Sequence, residues 1–248
     1  MQEAKLIEIF SSFQGEGPYI GAAMTFIRFQ HCAFSCQYCD TPNSFRKLKE
    51  YRVEHPQGSG NFEFHSNPAS VENIQNWIKK FNNKFISLTG GEPLHHSSFL
   101  KNWLPEFNKH HQKKYIILLE SSGILYKELE EIIEDIDVVS MDIKLASVTK
   151  MRSFWEEHRQ FIQIARKKEL YIKVVVGEET PHEEWQQAIK LVEQECPYVP
   201  LIIQPMTPQS KTENKISHNK LKKLFDIAKQ DLSNVRVIPQ IHVQAQWL

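Results

Sequence analysis

The chain has 248 residues, of which 41% are hydrophobic and 24% are charged, a composition typical of a folded globular domain and not of a disordered segment. Lysine plus arginine and aspartate plus glutamate number 30 each, so no net field draws the protein to nucleic acid or to an anionic membrane. Its longest apolar runs have the length of strands, far short of the ~20 residues that span a bilayer.

The first predicted strand covers residues 24–29, and the region 45–68 that follows it has neither a strand nor a helix period. We predict that this region is an irregular insertion or a short hairpin within a single domain, 1–248, because its Pro and Gly residues break both periods. After residue 84, short apolar runs alternate with segments of helical period every ~20 to 35 residues, as βα units require. The later predicted strands cover residues 86–89, 115–119, 138–141, 171–176, 201–203 and 235–238.

Helices are predicted between these strands from the spacing of their apolar residues. The stripes from Val71 to Phe81 and from Leu125 to Ile136 repeat at three and four residues, which predicts amphipathic helices packed on the sheet. Thr180, followed by Pro181, is the predicted N-cap of a further helix. Ser217 is the predicted N-cap of the last helix.

Polar residues come directly after several of the predicted strands. They are Gly90 to Pro93, Glu120 to Gly123, Asp142 with Lys144, and Gln204. The carboxyl ends of parallel strands meet at one edge of a sheet, where α/β barrel enzymes build their sites. The sequence therefore predicts a binding site at this edge.

Three of the four cysteines, Cys32, Cys36 and Cys39, lie within eight residues in a loop after the first predicted strand. The first ten residues contain no apolar core of a signal peptide, so we expect a cytoplasmic protein whose cysteines serve metal binding or catalysis. Thiolates are the usual ligands of iron-sulfur clusters, and three of them leave one iron of a cubane open to a substrate. The alternatives are a structural zinc site with His31 or Asp40 as the fourth ligand, and three unrelated thiols.

Gly90 and Gly91 are adjacent in a chain that contains only 9 glycines. Such a pair indicates a place where the backbone approaches another group closely. Glu92, which follows, offers an acceptor to an ammonium group.

The cysteine spacing, with Tyr38 before the third cysteine and Gly-Gly-Glu-Pro after a strand, resembles the radical S-adenosylmethionine (SAM) superfamily. The resemblance implies a partial (β/α) barrel of about six parallel strands, a [4Fe-4S] cluster on the three cysteines, and SAM bound at the free iron. Cleavage of SAM would give a 5′-deoxyadenosyl radical that abstracts a hydrogen atom from the substrate. The residues implied at SAM are Tyr38, Gly90, Gly91, Glu92, Ser121, Asp142, Lys144 and Gln204, although Asp142 either binds the ribose or only pairs with Lys144.

Arg28 lies in a strand that is otherwise apolar, four residues before the first cysteine of the loop. A desolvated guanidinium without an anion costs several kcal/mol. We therefore expect Arg28 to contact either a protein carboxylate such as Glu16 or a substrate carboxylate, with two hydrogen bonds in either case.

The run from Phe13 to Gly17, with Gly21, the segment Phe26 to Arg28 and the loop end Cys39 to Thr41, is similar to the 7-carboxy-7-deazaguanine synthases. That resemblance implies a Mg²⁺-assisted ring contraction of 6-carboxy-5,6,7,8-tetrahydropterin with loss of ammonia, in a homodimer served by a flavodoxin- or ferredoxin-like reductant. It places the pterin on Gln14, Gly15, Glu16, Gly17, Arg28, His242 and the carboxylate of Leu248, and Mg²⁺ on Thr41. Two alternatives share the cluster loop: an activase that installs a glycyl radical on a partner protein, and a non-enzymatic metal-binding or electron-transfer module.

Overall fold

The computed structural model describes residues 3–34, 36, 39, 41–208 and 215–247. The strands of these ranges are β1 (Glu3–Ala4), β2 (Leu6–Phe13), β3 (Ala23–Phe29), β4 (Glu50–Glu54), β5 (Phe62–Ser66), β6 (Ala69–Ser70), β7 (Phe85–Gly90), β8 (Ile116–Ser121), β9 (Val138–Ile143), β10 (Glu169–Val176), β11 (Leu201–Pro205) and β12 (Val235–Val237). The α-helices are α1 (Val71–Ile78), α2 (Ser97–His110), α3 (Tyr126–Glu130), α4 (Ala146–Thr149), α5 (Trp155–Ala165), α6 (His182–Glu195), α7 (His218–Asp231) and α8 (Ile241–Ala245).

One large sheet carries the fold, in the strand order β12-β11-β10-β9-β8-β7-β3-β2-β4-β5. From β12 to β3 each neighbouring pair is parallel. This α/β array confirms the predicted strands and extends the expected number of about six parallel strands to seven. Strands β12 and β5 form its two edges, so the sheet is open, as in a partial barrel.

Three further strands continue the sheet beyond β3. Strand β2, which was not predicted, is antiparallel to β3 and parallel to β4. Strands β4 and β5 pair antiparallel, so the segment 45–68 contains a hairpin that is hydrogen-bonded into the main sheet. Of the two forms considered for this segment, the hairpin is the one observed.

The helices agree with the sequence in part. The stripe from Leu125 to Ile136 is split between α3 and a 3-10 turn, Ile133–Asp135. The predicted N-cap Thr180 is wrong: Pro181 has an extended backbone, α6 begins only at His182, and the Thr180 hydroxyl accepts from Gly177 N at 2.9 Å. Ser217 does cap α7 by accepting from Lys220 N, although the short helix α8 follows.

The two faces of the sheet bury different clusters. One face packs against the helices in the larger core, which contains Ile27 and Phe29 of β3. Met24 and Phe26 of the same strand lie in a smaller cluster on the opposite face, because successive side chains of a strand alternate between faces. Among the described residues, no helix is long and apolar enough to cross a membrane.

Candidate active site

A cavity of about 620 Å³ opens where the parallel strands end. Most residues that the sequence and its resemblances implicated line this cavity: Gln14, Gly15, Glu16, Arg28, Cys32, Cys36, Cys39, Thr41, Gly90, Gly91, Ser121, Asp142, Lys144, Gln204 and His242. Gly17 and Glu92 are buried and are not among its lining residues. Tyr38 and Leu248 lie outside the described residues.

The floor of the cavity is formed by side chains from one face of five strands, because alternate residues of a strand point to the same face. The small cluster supplies the deep layer, with Phe26, Leu118, Tyr171 and Ile202 among its members. Two residues farther along each strand, on the same face, come the polar residues that line the cavity. They are Arg28 after Phe26, Glu120 after Leu118, Asp142 after Ser140, Lys173 after Tyr171 and Gln204 after Ile202. A period of two thus puts a charged or amide group on the cavity face of each of these five strands.

The three loop cysteines are partly buried thiols at this cavity. Cys32 and Cys36 pack against the apolar cluster of Phe34, Ile124 and Phe154. Burial raises the pKa of the Cys32 thiol to about 12, so a metal that binds there must displace the proton. Among the described residues, which omit Asp40, no three His, Cys, Asp or Glu side chains form a site for a metal ion.

Gly90 and Gly91 hold the turn after β7 against the start of the cysteine loop. Gly91 N donates to Phe29 O at 3.0 Å, and Glu92 N donates to His31 O at 2.7 Å. A Cβ on Gly91 would lie 2.1 Å from His31 O, and Gly90 has a φ of +110°. The close approach that the two glycines indicated is therefore the approach of one loop backbone to another.

Glu92 is fully buried, and its carboxylate joins β7 to the end of β8. It accepts from Ser122 N at 2.7 Å, from the hydroxyls of Ser122 and Ser121 at 2.5 and 3.1 Å, and from Leu94 N at 3.3 Å. Burial raises the pKa of Glu92 against the opposing effect of these donors. Ser121 and Ser122 themselves line the cavity, so Glu92 fixes residues of the wall.

Asp142 and Lys144 form an ion pair at the end of β9, with 2.8 Å between Asp142 Oδ2 and Lys144 Nζ. Burial opposes the ionised form of Asp142, but Lys144 and Lys173 together lower its pKa below the usual value. The position of Lys144 is fixed from behind, because its backbone N–H donates to His158 Nε2 at 3.0 Å.

Among the described residues that line the cavity, two buried acceptor atoms lack a hydrogen-bond partner. They are Asp142 Oδ1 and Gln204 Oε1, both on residues that line the cavity. Asp142 Oδ1 has an ionic contact with Lys173 Nζ at 3.5 Å. A buried acceptor without a donor costs free energy, so these oxygens fit a ligand that brings N–H or O–H groups. The amine and ribose hydroxyls of SAM are such groups.

Glu16 lies at the centre of a buried polar network that joins the first loop, two strands and the chain end. Its carboxylate forms an ion pair with Lys173 and accepts from the amides of Gln204 and Gln240 at 3.1 and 2.9 Å. Burial favours neutral Lys173, but the carboxylates of Asp142, Glu16 and Glu120 raise its pKa well above the usual value. Glu16 is therefore held by a permanent cation.

Gln14 connects this loop to Glu120. Its Nε2 donates to Glu120 Oε1 at 3.0 Å, and its Oε1 accepts from Glu16 N at 3.1 Å. Glu120 also accepts from the hydroxyls of Ser87 and Thr89 at 3.0 and 3.2 Å. The amide of Gln14 is thus fully oriented, with Glu120 exposed to the cavity beside it.

The partner of Arg28 is Glu8, and not Glu16 as the sequence suggested. Arg28 Nε lies 2.8 Å from Glu8 Oε1, because Glu8 is the residue opposite Arg28 in the β2 and β3 register. Arg28 Nη1 donates to Thr41 Oγ1 at 3.1 Å, and the guanidinium lies over the Phe10 ring, 5.3 Å from its centroid.

The end of the chain packs on the loop that contains Gln14 to Gly17. Ile241 N donates to Gly15 O at 2.9 Å, and the rings of Trp247 and Phe13 lie 5.4 Å apart. A Cβ on Gly15 would lie 2.3 Å from His242 Nδ1, so this glycine lets His242 approach. His242 and Trp247 both line the cavity.

Sequence reasoning gave no site role to Lys173 or Gln240, and it placed Glu120 at the binding edge of the sheet without a ligand, although each lines the cavity. The signal for Lys173 was present, since it is a cation within the buried run of β10, just as Arg28 is in β3. Gln240 has no comparable signal, because only the folded tail brings it to Glu16.

Comparison with known proteins agrees with this geometry. The model of the radical SAM superfamily matches residues 26–192. A 7-carboxy-7-deazaguanine synthase of Geobacter sulfurreducens is 36% identical over 96% of both chains, and one of Methanocaldococcus jannaschii is 32% identical over 95% of this chain and 96% of its own. The crystal structure of QueE from Escherichia coli shares the fold with a TM-score of 0.61, at 19% identity over 98% of this chain and 96% of that one.

Proposed function

Because the chain belongs to the radical SAM superfamily and, within it, to the 7-carboxy-7-deazaguanine synthases, we propose that it forms 7-carboxy-7-deazaguanine. The substrate would be 6-carboxy-5,6,7,8-tetrahydropterin, whose ring contracts with loss of ammonia. The product would serve the synthesis of queuosine or another 7-deazapurine. The observation that carries the proposal is the cavity itself. Its lining contains three cysteines together with Arg28 and Glu16, a cation and an anion suited to a substrate that has a carboxylate and an amino-pyrimidine edge.

When bound, the cluster and SAM would supply the radical that removes a hydrogen atom from the substrate. Cys32, Cys36 and Cys39 would hold the cluster. The methionine end of SAM would lie along Gly90 and Gly91, the wall that Glu92 fixes through Ser121. The rest of SAM would contact Asp142, Lys144 and Gln204. Its N–H and O–H groups would donate to Asp142 Oδ1 and Gln204 Oε1, the two buried oxygens of the lining. Tyr38, outside the described residues, stays a prediction.

The substrate would lie between Arg28 and the loop Gln14 to Gly17. Arg28 would bind the pterin carboxylate. Glu16 would accept from the ring edge of the pterin, and the Gln14 amide would accept or donate there, where backbone groups of Gly15 are also close. His242, which the tail holds against Gly15, would close the site. A contact from the Leu248 carboxylate remains a proposal from the resemblance.

Mg²⁺ would be held by Thr41 together with substrate oxygens and water, because one hydroxyl is too few ligands for a hard cation. Thr41 Oγ1 already accepts from Arg28, so one substrate carboxylate can reach both the arginine and the metal ion. We further propose a cytoplasmic homodimer reduced by a flavodoxin- or ferredoxin-like protein. These proposals come from the resemblance, and free thiols at all four cysteines agree with a reducing compartment.

The test is product analysis. Cluster-reconstituted protein, incubated anaerobically with SAM, a low-potential reductant, Mg²⁺ and the carboxytetrahydropterin, should form 7-carboxy-7-deazaguanine and ammonia. The identity of the product is read by mass spectrometry. Cleavage of SAM without any change in the pterin would contradict the substrate and would favour the activase alternative, whereas intact SAM would favour an electron-transfer module.

A further inference from the structure

The hairpin of β4 and β5 puts an arginine in line with the proposed substrate-binding arginine. In the register of β2 with β4, Arg52 lies opposite Glu8, and in the register of β2 with β3, Glu8 lies opposite Arg28. Three neighbouring strands thus carry a row of cation, anion and cation. The row ends at the cavity, where Arg28 is part of the lining.

Glu8 divides its carboxylate between the two arginines. Oε1 accepts from Arg28 Nε at 2.8 Å, and Oε2 accepts from Arg52 Nε at 2.7 Å and lies 2.6 Å from Arg52 Nη2. The Arg52 guanidinium also lies over the Phe62 ring at 4.2 Å from its centroid. Both strands of the hairpin therefore keep Arg52 against Glu8 Oε2, since Arg52 belongs to β4 and Phe62 to β5.

We propose that Arg52 is a positioning residue, which keeps Arg28 oriented for the substrate carboxylate by occupying Glu8 Oε2. An isolated arginine and carboxylate prefer two parallel hydrogen bonds. Without Arg52, Glu8 would rotate to take Arg28 Nε and Nη2 together, and it would compete with the substrate for the same guanidinium. With Arg52 in place, Glu8 takes Nε, Thr41 accepts from Nη1, and the guanidinium plane stays over Phe10.

This inference rests on the proposed binding of the substrate carboxylate by Arg28, and it assigns a role to the hairpin. The alternative is that Arg52 only forms a surface ion pair, since its side chain is 45% exposed. Ion pairs of this kind contribute little to the free energy of unfolding. The two differ in what the loss of Arg52 changes, which is either substrate binding or, at most, stability alone.

The experiment measures KM for the carboxytetrahydropterin, and kcat at saturating SAM, on anaerobic holoenzyme at matched iron content. Arg52→Ala should raise KM about tenfold, the loss of one good charge-assisted hydrogen bond, with a smaller change in kcat. Arg52→Lys should fall between this variant and the parent, because it restores the charge but not the planar fork. Glu50→Gln, an exposed change on the same strand, is the matched control and should behave as the parent.

The double variant Glu8→Gln with Arg52→Ala decides between competition and simple support. An amide cannot grip a guanidinium as a carboxylate does, so KM in the double variant should recover part of the loss seen for Arg52→Ala. A further loss in the double variant, or a parental KM for Arg52→Ala, would overturn the inference.

Arg28→Lys separates this inference from the function on which it rests. If Arg28→Lys raises KM while Arg52→Ala does not, the positioning role falls and the proposed role of Arg28 stands. If Arg28→Lys leaves KM unchanged, Arg28 does not bind the carboxylate, and both fall. A drop in thermal midpoint for Arg52→Ala without a change in KM would assign Arg52 to stability alone.

Discussion

At the residue scale, each loop cysteine is a separate requirement of the cluster. Cys32, Cys36 and Cys39 line the cavity, whereas Cys196 is buried in the main core, away from the lining. Burial raises the pKa of both Cys32 and Cys196 to about 12, so acidity does not distinguish them. Cys32 and Cys196 therefore differ in their position relative to the cavity, and this position decides which of them can bind the cluster.

Replacement of any loop cysteine by Ala should therefore abolish the brown absorbance of the cluster and the formation of 5′-deoxyadenosine. Iron content and deoxyadenosine yield measure the two effects after anaerobic reconstitution. Cys196→Ala is the control and should retain both. A loop variant with full iron and full deoxyadenosine formation would disprove the cluster assignment.

Among the described ion pairs near the cavity, that of Lys173 with Glu16 is the most deeply buried, with side chains 6% and 10% exposed. Removal of one member of such a pair leaves the other charge without compensation. Lys173→Met should therefore lower the free energy of unfolding by about 3 kcal/mol, whereas the double variant with Glu16→Gln should regain much of this loss. Thermal unfolding at matched iron content measures both.

The control for Lys173 is the exposed pair of Lys222 and Asp226 on α7, whose side chains are 59% and 51% exposed. Lys222→Met should change the free energy of unfolding by no more than about 0.5 kcal/mol. Equal destabilisation by Lys173→Met and Lys222→Met would show that the buried pair contributes no more than a surface pair.

At the scale of elements, helix α5 fixes the ends of two strands through one imidazole. His158 is fully buried, its Nδ1 lies 2.9 Å from Gly123 O, and its Nε2 accepts from Lys144 N at 3.0 Å. The ring must therefore be neutral, with its proton on Nδ1. Burial lowers the pKa of His158 to about 4.

This lowered pKa makes stability depend on pH. Above the unfolded pKa of about 6.5, the ring is neutral in both the folded and the unfolded state. Between about 6.5 and 4 the unfolded chain binds a proton that the folded protein refuses, so stability falls as the pH falls, by on the order of 3 kcal/mol at the lower limit. The thermal midpoint of the parent should drop more between pH 7.5 and 5.5 than that of His158→Gln. His182→Gln, exposed at the start of α6, should follow the parent, and parallel curves for all three proteins would refute the neutral His158.

The strands and helices that the sequence predicted correctly are those whose burial leaves a clear pattern of apolar residues. The parallel strands read as apolar runs because both of their faces are covered. Strand β5 could not be found in this way, since most of its residues are exposed and Phe64 is 66% exposed. Strand β2 carries Glu8 within a buried run, and only the pairing with Arg28 and Arg52 explains why a carboxylate is tolerated there.

At the scale of the whole molecule, the site combines residues that are distant in sequence. Glu16 and Lys173 are 157 residues apart, and Glu16 and Gln240 are 224 apart. The sequence could predict which edge of the sheet carries polar groups, because parallel strands end together. It could not predict the pairs, which depend on strand register and on where the tail folds, and so Glu16 was suggested for Arg28 in place of Glu8.

The C-terminal tail, residues 240–247, also contributes to the site. Gln240 donates to Glu16, Ile241 donates to the backbone of Gly15, and Trp247 packs on Phe13. Deletion from Ile241 onward, or a tag at the C-terminus, should therefore lower turnover of the pterin strongly. Iron content should not change, because the proposed cluster ligands Cys32, Cys36 and Cys39 belong to a different segment of the chain.

An N-terminal tag is the matched control for the C-terminal one. It extends the chain before β1, which pairs with β6, and neither strand contributes to the described lining of the cavity. Turnover is compared at equal iron content, with KM for the pterin measured separately from kcat. A tail that closes the site predicts a higher KM for the C-terminally tagged protein and a parental KM for the N-terminally tagged one. Equal KM and equal turnover in the two tagged proteins would remove His242 and the rest of the tail from the active site.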